Sequence, residues 1–132
     1  MGVWAVGSFE SDTALNWLEK LYDSGDFSLV RTALSADFAT AEIHVGREAI
    51  AAADLVACWL GKPPPKQRRK GLAEWTREHP AAFTPDLVEL ARRAVASIKT
   101  NSQLRESWKN RDGVVNTQWL EAVSDLERRL ER

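Results

Sequence analysis

Asp54 is the titratable residue with the most unusual surroundings in this sequence. It follows three alanines and precedes Leu-Val-Ala, in a segment that has almost no other polar residue. An isolated carboxylate is costly to bury, so it must accept hydrogen bonds or stay protonated. We expect a structural anchor, with backbone amides of the glycine-containing first nine residues or a tryptophan N–H as donors. The other interpretation, a functional acid, stays open.

A polar pocket is the functional alternative for this carboxylate. The candidate binding residues of the chain are Trp4, Asp12, Glu48 and Asp54. A deep concave pocket with converging carboxylates would indicate a small-molecule binding protein or an enzyme without a recognised motif. A flat aromatic patch would instead indicate a protein partner. No residue of the sequence is assigned a catalytic role.

The sequence contains few residue patterns that would bind a metal ion or a phosphate group. His44 and Glu48 are four residues apart, a spacing that can place two ligands on one helix face. Zinc needs several well-spaced ligands, and Cys58 and His79 are far from this pair, so we interpret it as a surface pair and expect no metal or other cofactor. A glycine-rich phosphate loop and a G-x-S-x-G elbow are absent. The sequence therefore favours a binding protein over an enzyme.

Cys58 is the one cysteine of the chain and lies in its most apolar segment. A thiolate nucleophile needs a partly exposed, electropositive setting, whereas apolar burial raises the pKa of a thiol. We therefore expect this side chain to pack in the core. A single cysteine also excludes an internal disulfide framework and fits a reducing compartment.

Composition limits the class of protein. The chain has 132 residues, of which 44% are hydrophobic and 28% charged, as expected of one globular domain over residues 1–132. Eighteen basic and 19 acidic residues nearly cancel, which argues against nucleic acid or an anionic membrane as a partner. The first residues lack the features of a secretory signal, and no apolar run is long enough to span a membrane. We expect a cytoplasmic location, and the oligomeric state stays open.

Helices are the elements expected to position these residues, because apolar residues recur at three- and four-residue steps through most of the chain. We predict an all-α, irregular bundle of about six helices, built around a central apolar helix at 47–60 and preceded by an extended N-terminal lead-in. Residues 38–45 alternate loosely between apolar and polar. We expect them to be irregular, although a short strand stays possible.

Capping residues predict where several helices begin and end. The expected start signals are Ser11 or Asp12, Asp26, Thr84-Pro85-Asp86, Asn101 or Ser102, and Asn116. Gly61 is expected at the end of the central helix. A segment rich in proline, lysine and arginine follows at 62–70, and three consecutive prolines cannot continue a helix. We interpret this link as a solvated loop rather than a phosphate-binding element, because no aromatic residue interleaves its cations.

Six tryptophans are many for a chain of this length. Three of them fall on apolar stripes and are predicted to be in the core: Trp17, Trp59 and Trp119. The other three are unassigned, and an exposed cluster of them would form a binding surface: Trp4, Trp75 and Trp108.

The chain resembles a known family in several short stretches. The opening Met1-Gly2-x-Trp4, followed by Phe9, Asp12 and Ala14, is similar to the start of the bacterial proteins catalogued as domain of unknown function 4259. Further similar stretches are Glu48-Ala49, Ala51-Ala52-Ala53-Asp54 to Gly61, and Leu90-Ala91-Arg92-Arg93-Ala94. This chain has Ala5, Glu10 and Asp54 where the family usually has glycine, aspartate and glutamate. The resemblance implies a bacterial, cytosolic protein and carries no activity.

Two functions from different classes follow from these observations. The first is a small protein–protein interaction module of immunity or accessory type, which blocks or holds a partner. It rests on small size, the lack of catalytic constellations and the surplus of aromatic residues. The second is a small-molecule binding protein or an unrecognised enzyme with a carboxylate-lined pocket. We favour the first, because enzymes usually have more convergent polar motifs.

Overall fold

The computed structural model describes residues 12–62 and 76–131, and within them the fold is all-α, as predicted. The helices are α1 (Asp12–Ser24), α2 (Ser28–Leu34), α3 (Ile43–Trp59), α4 (Pro85–Thr100), α5 (Gln103–Ser107) and α6 (Thr117–Arg129). Residues 76–78 are also helical, and a 3₁₀ turn follows at Pro80–Ala82. None of these helices is long and apolar enough to cross a membrane.

The central helix is α3, which packs against each of the other five α-helices. All residues from 49 to 58 are buried, so this helix is surrounded on every side. A helix that is apolar on nearly every face has this position in a bundle. The sequence-based prediction of a central helix is therefore confirmed.

The predicted start of the central helix was wrong by four residues. The helix begins at Ile43, with Glu42 in extended conformation before it, and not at Arg47. Residues 43–45 of the uncertain 38–45 segment are thus helical, while residues 38–40 form a turn closed by a 2.9 Å bond from Ala41 N to Asp37 O. Two β-branched residues and Gly46 weakened the helical signal there. Gly46 is buried because α5 lies close: a methyl group at Gly46 would be 3.1 Å from Leu104 Cβ.

The end of α3 is formed by Gly61, as predicted. Its φ of 80° is in the left-handed region, which glycine adopts without steric cost. Gly61 N donates to Cys58 O and Lys62 N donates to Ala57 O, both at 2.9 Å. This pair of bonds is a Schellman motif, which satisfies two carbonyls at the helix end.

Two of the other predicted caps were confirmed. Two others were wrong: the side chain of Thr84 makes no capping hydrogen bond to α4, and the residue at the cap position of α2 is Phe27 rather than Asp26. Pro85 is the first residue of α4, directly after Thr84. Ser102 Oγ accepts a 2.9 Å bond from Arg105 N, and Asn116 Oδ1 accepts a 3.0 Å bond from Trp119 N. These two side chains cap α5 and α6, because each satisfies an amide of the first turn that has no partner within the helix.

Two of the six tryptophans are buried in the described core, and two are half-buried. Trp17 and Trp119 are buried as predicted, and Trp59 is half-buried, with its indole N–H donating to Thr76 O at 3.1 Å. The fourth, Trp108, is also half-buried. Trp4, Trp75, the lead-in and the 62–70 link beyond Lys62 lie outside the described residues, so the predictions made for them stay predictions.

Candidate functional site

Asp54 is fully buried and forms an ion pair with Arg129 at the end of α6. The contact is bidentate: Arg129 Nη1 donates to Asp54 Oδ1 at 2.5 Å, and Nη2 donates to Oδ2 at 3.1 Å. The planar guanidinium matches the two carboxylate oxygens, which makes this pair geometrically specific. The carboxylate is therefore held in place by a charge from another helix.

Arg129 is itself fixed by two further contacts. Its Nε donates to Asp125 Oδ2 at 2.8 Å, one turn earlier in α6, and its Nη1 donates to Lys62 O at 3.3 Å. Lys62 Nζ in turn donates to Glu131 O at 2.5 Å. Burial opposes the charged form of Arg129, but the hydrogen bonds and charges of Asp54 and Asp125 outweigh it and raise the pKa of Arg129. The ends of α3 and α6 are thereby tied together.

The predicted donors for Asp54 were wrong. We expected backbone amides of the lead-in or a tryptophan N–H, and the structure shows a guanidinium 75 residues away. The sequence did contain a signal for this contact. Arg129 is three residues after buried Leu126 and next to buried Leu130, so helical periodicity places it on the apolar face of α6. A lone arginine on such a face pairs with a buried acid.

The other candidate binding residues lie elsewhere in the fold. Asp12 is exposed in the first turn of α1, Glu48 is half-buried on α3, and Trp4 lies outside the described residues. Six residues separate Glu48 from Asp54, which corresponds to a rise of about 9 Å along the helix. A pocket shared by these residues stays a prediction.

His44 is part of α3, whereas residues 38–45 were predicted to be irregular. Its nearest acidic partner is Glu42, at 3.6 Å from Nδ1, rather than Glu48. Among the residues that the structure describes, no group of three or more histidine, cysteine, aspartate or glutamate side chains could hold a metal ion.

Cys58 lies one turn after Asp54 and is buried in the core, as predicted. Burial and the negative charge of Asp54 raise the pKa of the thiol to about 12, although Arg129 partly opposes this shift. A thiol with this pKa is almost entirely protonated at neutral pH and is a poor nucleophile. Its surroundings therefore argue for a packing role.

The pKa of Cys58 predicts a pH dependence of stability. From about pH 9 to pH 12 the unfolded chain releases the thiol proton while the folded chain retains it. The free energy of unfolding should therefore fall as the pH rises, by up to about 1.4 kcal/mol per pH unit from this group. Urea melts of the wild type and of Cys58→Ala over this range measure the difference. Parallel slopes for the two proteins would show that the thiol titrates normally when folded.

A groove of about 420 Å³ lies where α5 connects to α6. The connection is a short hairpin in which Asn116 N donates to Trp108 O and Asn110 N donates to Val114 O, both at 2.9 Å. The residues that line the groove are Ser107, Trp108, Lys109, Asn110, Val114, Val115, Asn116 and Thr117. Its volume is within the range of ligand-binding pockets.

The apolar part of the groove is formed by Trp108, Val114 and Val115. Val114 is 57% exposed and is the only large hydrophobic residue of the described chain that is classed as exposed. Trp108 stacks on the buried Trp119, with ring centroids 6.4 Å apart and an interplanar angle of 17°. The buried Trp119 thus supports Trp108, which lines the groove. The sequence indicates a helix that contains Leu104 and Trp108 but does not show whether Trp108 is in the core or on the surface, and Val114 belongs to no apolar stripe, so neither was predicted to form a groove.

Two asparagines fix the shape of the groove and orient their own amides. Asn110 Oδ1 accepts from Asp112 N at 2.8 Å and from Val114 N at 3.0 Å, so it closes the hairpin turn. Asn116 Oδ1 accepts from Trp119 N. Because both oxygens face backbone amides, both NH₂ groups point away from those amides. Neither NH₂ group has an acceptor among the described residues.

Two other cavities are lined mainly by charged and polar side chains. One, of about 270 Å³, lies between α4 and α6 and includes Arg92, Arg93 and Glu127. The other, of about 560 Å³, lies at the start of α3 and includes Glu42, His44 and Arg47. Both contain acidic and basic groups together, and neither includes Asp12, Glu48 or Asp54.

A family model described as domain of unknown function (DUF4259) matches residues 2–122. This range includes Asp54 and the groove and ends before Arg129, which holds Asp54. No curated protein and no solved structure matches the chain.

Proposed function

We propose that this chain, which belongs to the DUF4259 family, is a small protein–protein interaction module that binds its partner through the groove at residues 107–117. In this proposal the chain holds or blocks a partner protein, as immunity and accessory proteins do. The observation that carries it is the exposed Val114 beside the groove. Val114 lines a concave surface together with an aromatic side chain, and ligand-binding sites are commonly concave and lined by apolar and aromatic residues.

The construction of the groove supports the proposal. The hairpin that carries Val114 is closed by Asn110, and its base is fixed by the Asn116 cap and by the Trp108–Trp119 stack. Such a loop loses little conformational freedom when it binds, which leaves more of the interaction energy for affinity. Binding residues are commonly found on loops held by a rigid scaffold.

The alternative, a pocket with Asp54 as a functional acid, has weaker support. Asp54 has no exposed surface, and both of its oxygens accept from Arg129. A ligand would have to displace a bidentate ion pair in order to reach it. The observed contacts therefore favour the structural role for this carboxylate.

Val114→Asp tests the proposed function. We expect it to abolish capture of a partner that the wild type retains in extracts of cells that naturally produce the chain. The reason is that the substitution places a charge at the centre of an apolar contact. The melting temperature should change little, since Val114 is exposed. Quantitative mass spectrometry of the captured proteins measures the loss.

Asn16→Asp is the matched control. It adds the same charge at an exposed position of α1 and should retain the partner. If the proteins captured by the wild type were retained equally by Val114→Asp, the groove would not be the binding surface. If the wild type and Asn16→Asp captured no protein at all, the proposal of an interaction module would be wrong.

A further inference from the structure

We infer that the groove binds an acidic segment of its partner, in which a carboxylate lies next to an apolar side chain. This inference rests on the proposed function and specifies the chemistry of the occupant. It follows from what the groove offers: hydrogen-bond donors at its polar positions and apolar surface between them. An occupant that matches it must supply acceptors and an apolar group.

The donors are identified by the hydrogen bonds of the hairpin. Asn110 and Asn116 use their oxygens for backbone amides, so each has an NH₂ group left for an occupant. Both residues line the groove. The two amides therefore favour an acceptor-rich segment, and donors of this kind bind an ionised acceptor more strongly than a neutral one.

The charged residues near the groove also favour an acidic occupant. Lys109 lines it and is 2.8 Å from Glu106, which Arg105 also approaches, at 3.6 Å. One carboxylate is thus shared by two cations. Arg111 and Asp112, both exposed at the tip of the hairpin, form no ion pair among the described residues. Residues 105–112 contain three basic and two acidic side chains, of which Lys109 lines the groove, and this small positive surplus favours an acidic occupant.

The apolar surface sets the second requirement. Val114 and Val115 lie on the same groove as the two amides, and Trp108 completes it. A free carboxylate ion alone would leave this surface in water. A peptide that carries an apolar side chain beside its carboxylate covers the apolar surface and reaches the donors together.

Two synthetic peptides of equal length test the inference, one alternating leucine with aspartate and the other leucine with asparagine. They are titrated into ¹⁵N-labelled protein, and the side-chain NH₂ signals of Asn110 and Asn116 are followed. We expect the acidic peptide to shift both signals and to bind at least roughly tenfold more tightly, since an NH₂ donor binds an ionised acceptor more strongly than a neutral one.

Asn110→Asp and Asn116→Asp are matched variants that keep the fold. Aspartate retains the oxygen that closes the turn or caps α6, and it replaces the NH₂ donor by a second oxygen. Each variant should keep its melting temperature and weaken binding of the acidic peptide about tenfold, with little effect on the neutral one.

Equal affinity for the two peptides would overturn the requirement for a carboxylate and leave the interaction groove in place. Tighter binding of a third peptide, of the same length and alternating leucine with lysine, would also overturn it. If none of the peptides shifted the two NH₂ signals, the acidic-segment inference would be wrong, while the Val114→Asp capture experiment would still decide the proposed function separately.

Discussion

Asp54→Asn should lower the free energy of unfolding by about 3–5 kcal/mol, the usual cost of removing one partner of a buried ion pair. The substitution keeps the shape of the side chain and leaves the guanidinium of Arg129, only 13% exposed, without its main counterion. Asp125 compensates only in part, because it contacts Nε alone. Denaturant melts at neutral pH, with midpoint and slope compared, measure the loss.

Replacing Arg129 as well as Asp54 should restore the stability. In Asp54→Leu/Arg129→Met both charges are gone, and the stability should return close to that of the wild type, because well-packed apolar pairs often replace buried ion pairs without loss. Arg128→Met is the matched control, since it removes a charge from the same helix at a side chain that is 66% exposed. It should change the stability by less than about 0.5 kcal/mol. A stabilised Asp54→Asn variant would contradict the anchoring role and favour a strained functional acid.

Trp119→Ala should cost about 3–5 kcal/mol, which is typical of removing a buried aromatic side chain. Trp119 is 3% exposed and lies on the face of α6 that packs into the core. The substitution also removes the ring on which Trp108 stacks, so the groove should lose affinity for the acidic peptide wherever the protein stays folded. Thermal melts and the peptide titration measure the two effects.

Trp119→Phe is the control for this second prediction. It retains an aromatic ring against Trp108 and leaves a smaller cavity, so its loss of stability should be clearly smaller than that of the alanine variant. Unchanged melting of Trp119→Ala would show that the ring contributes little to the core. Full stability loss with unchanged peptide affinity in the folded fraction would show that the groove does not depend on its support.

Trp119 and Arg129 belong to the same helix, α6, and lie near its opposite ends. Trp119 lies near the start of α6 and supports the groove, whereas Arg129 lies at its end and holds Asp54. The position of α6 against α3 and α4 therefore affects both the anchor and the proposed binding surface. Substitutions at Asp54 or Arg129 that leave the protein folded can be tested with the same peptides for a change in the affinity of the groove.

The sequence by itself determined the fold class and most helix ends. Periodic apolar residues showed which segments bury one face, and Thr84, Ser102, Asn116 and Gly61 marked where the helices start or stop. These signals are local, because a cap or a stripe depends on residues within one or two turns. The start of α3 was misplaced for the same reason: residues 43–46 have weak helical propensity, and packing against neighbouring helices stabilises that turn.

Only the tertiary structure decided the partner of Asp54 and the location of the groove. The sequence showed that a carboxylate in an apolar helix needs donors, but 75 residues separate Asp54 from Arg129. Their contact depends on how α3 and α6 cross in the bundle, which a local pattern does not encode. The groove likewise depends on a hairpin whose residues have no helical period and on the placement of Trp108 against Trp119. Long-range packing brings these residues together, and for that reason the sequence alone did not reveal the site.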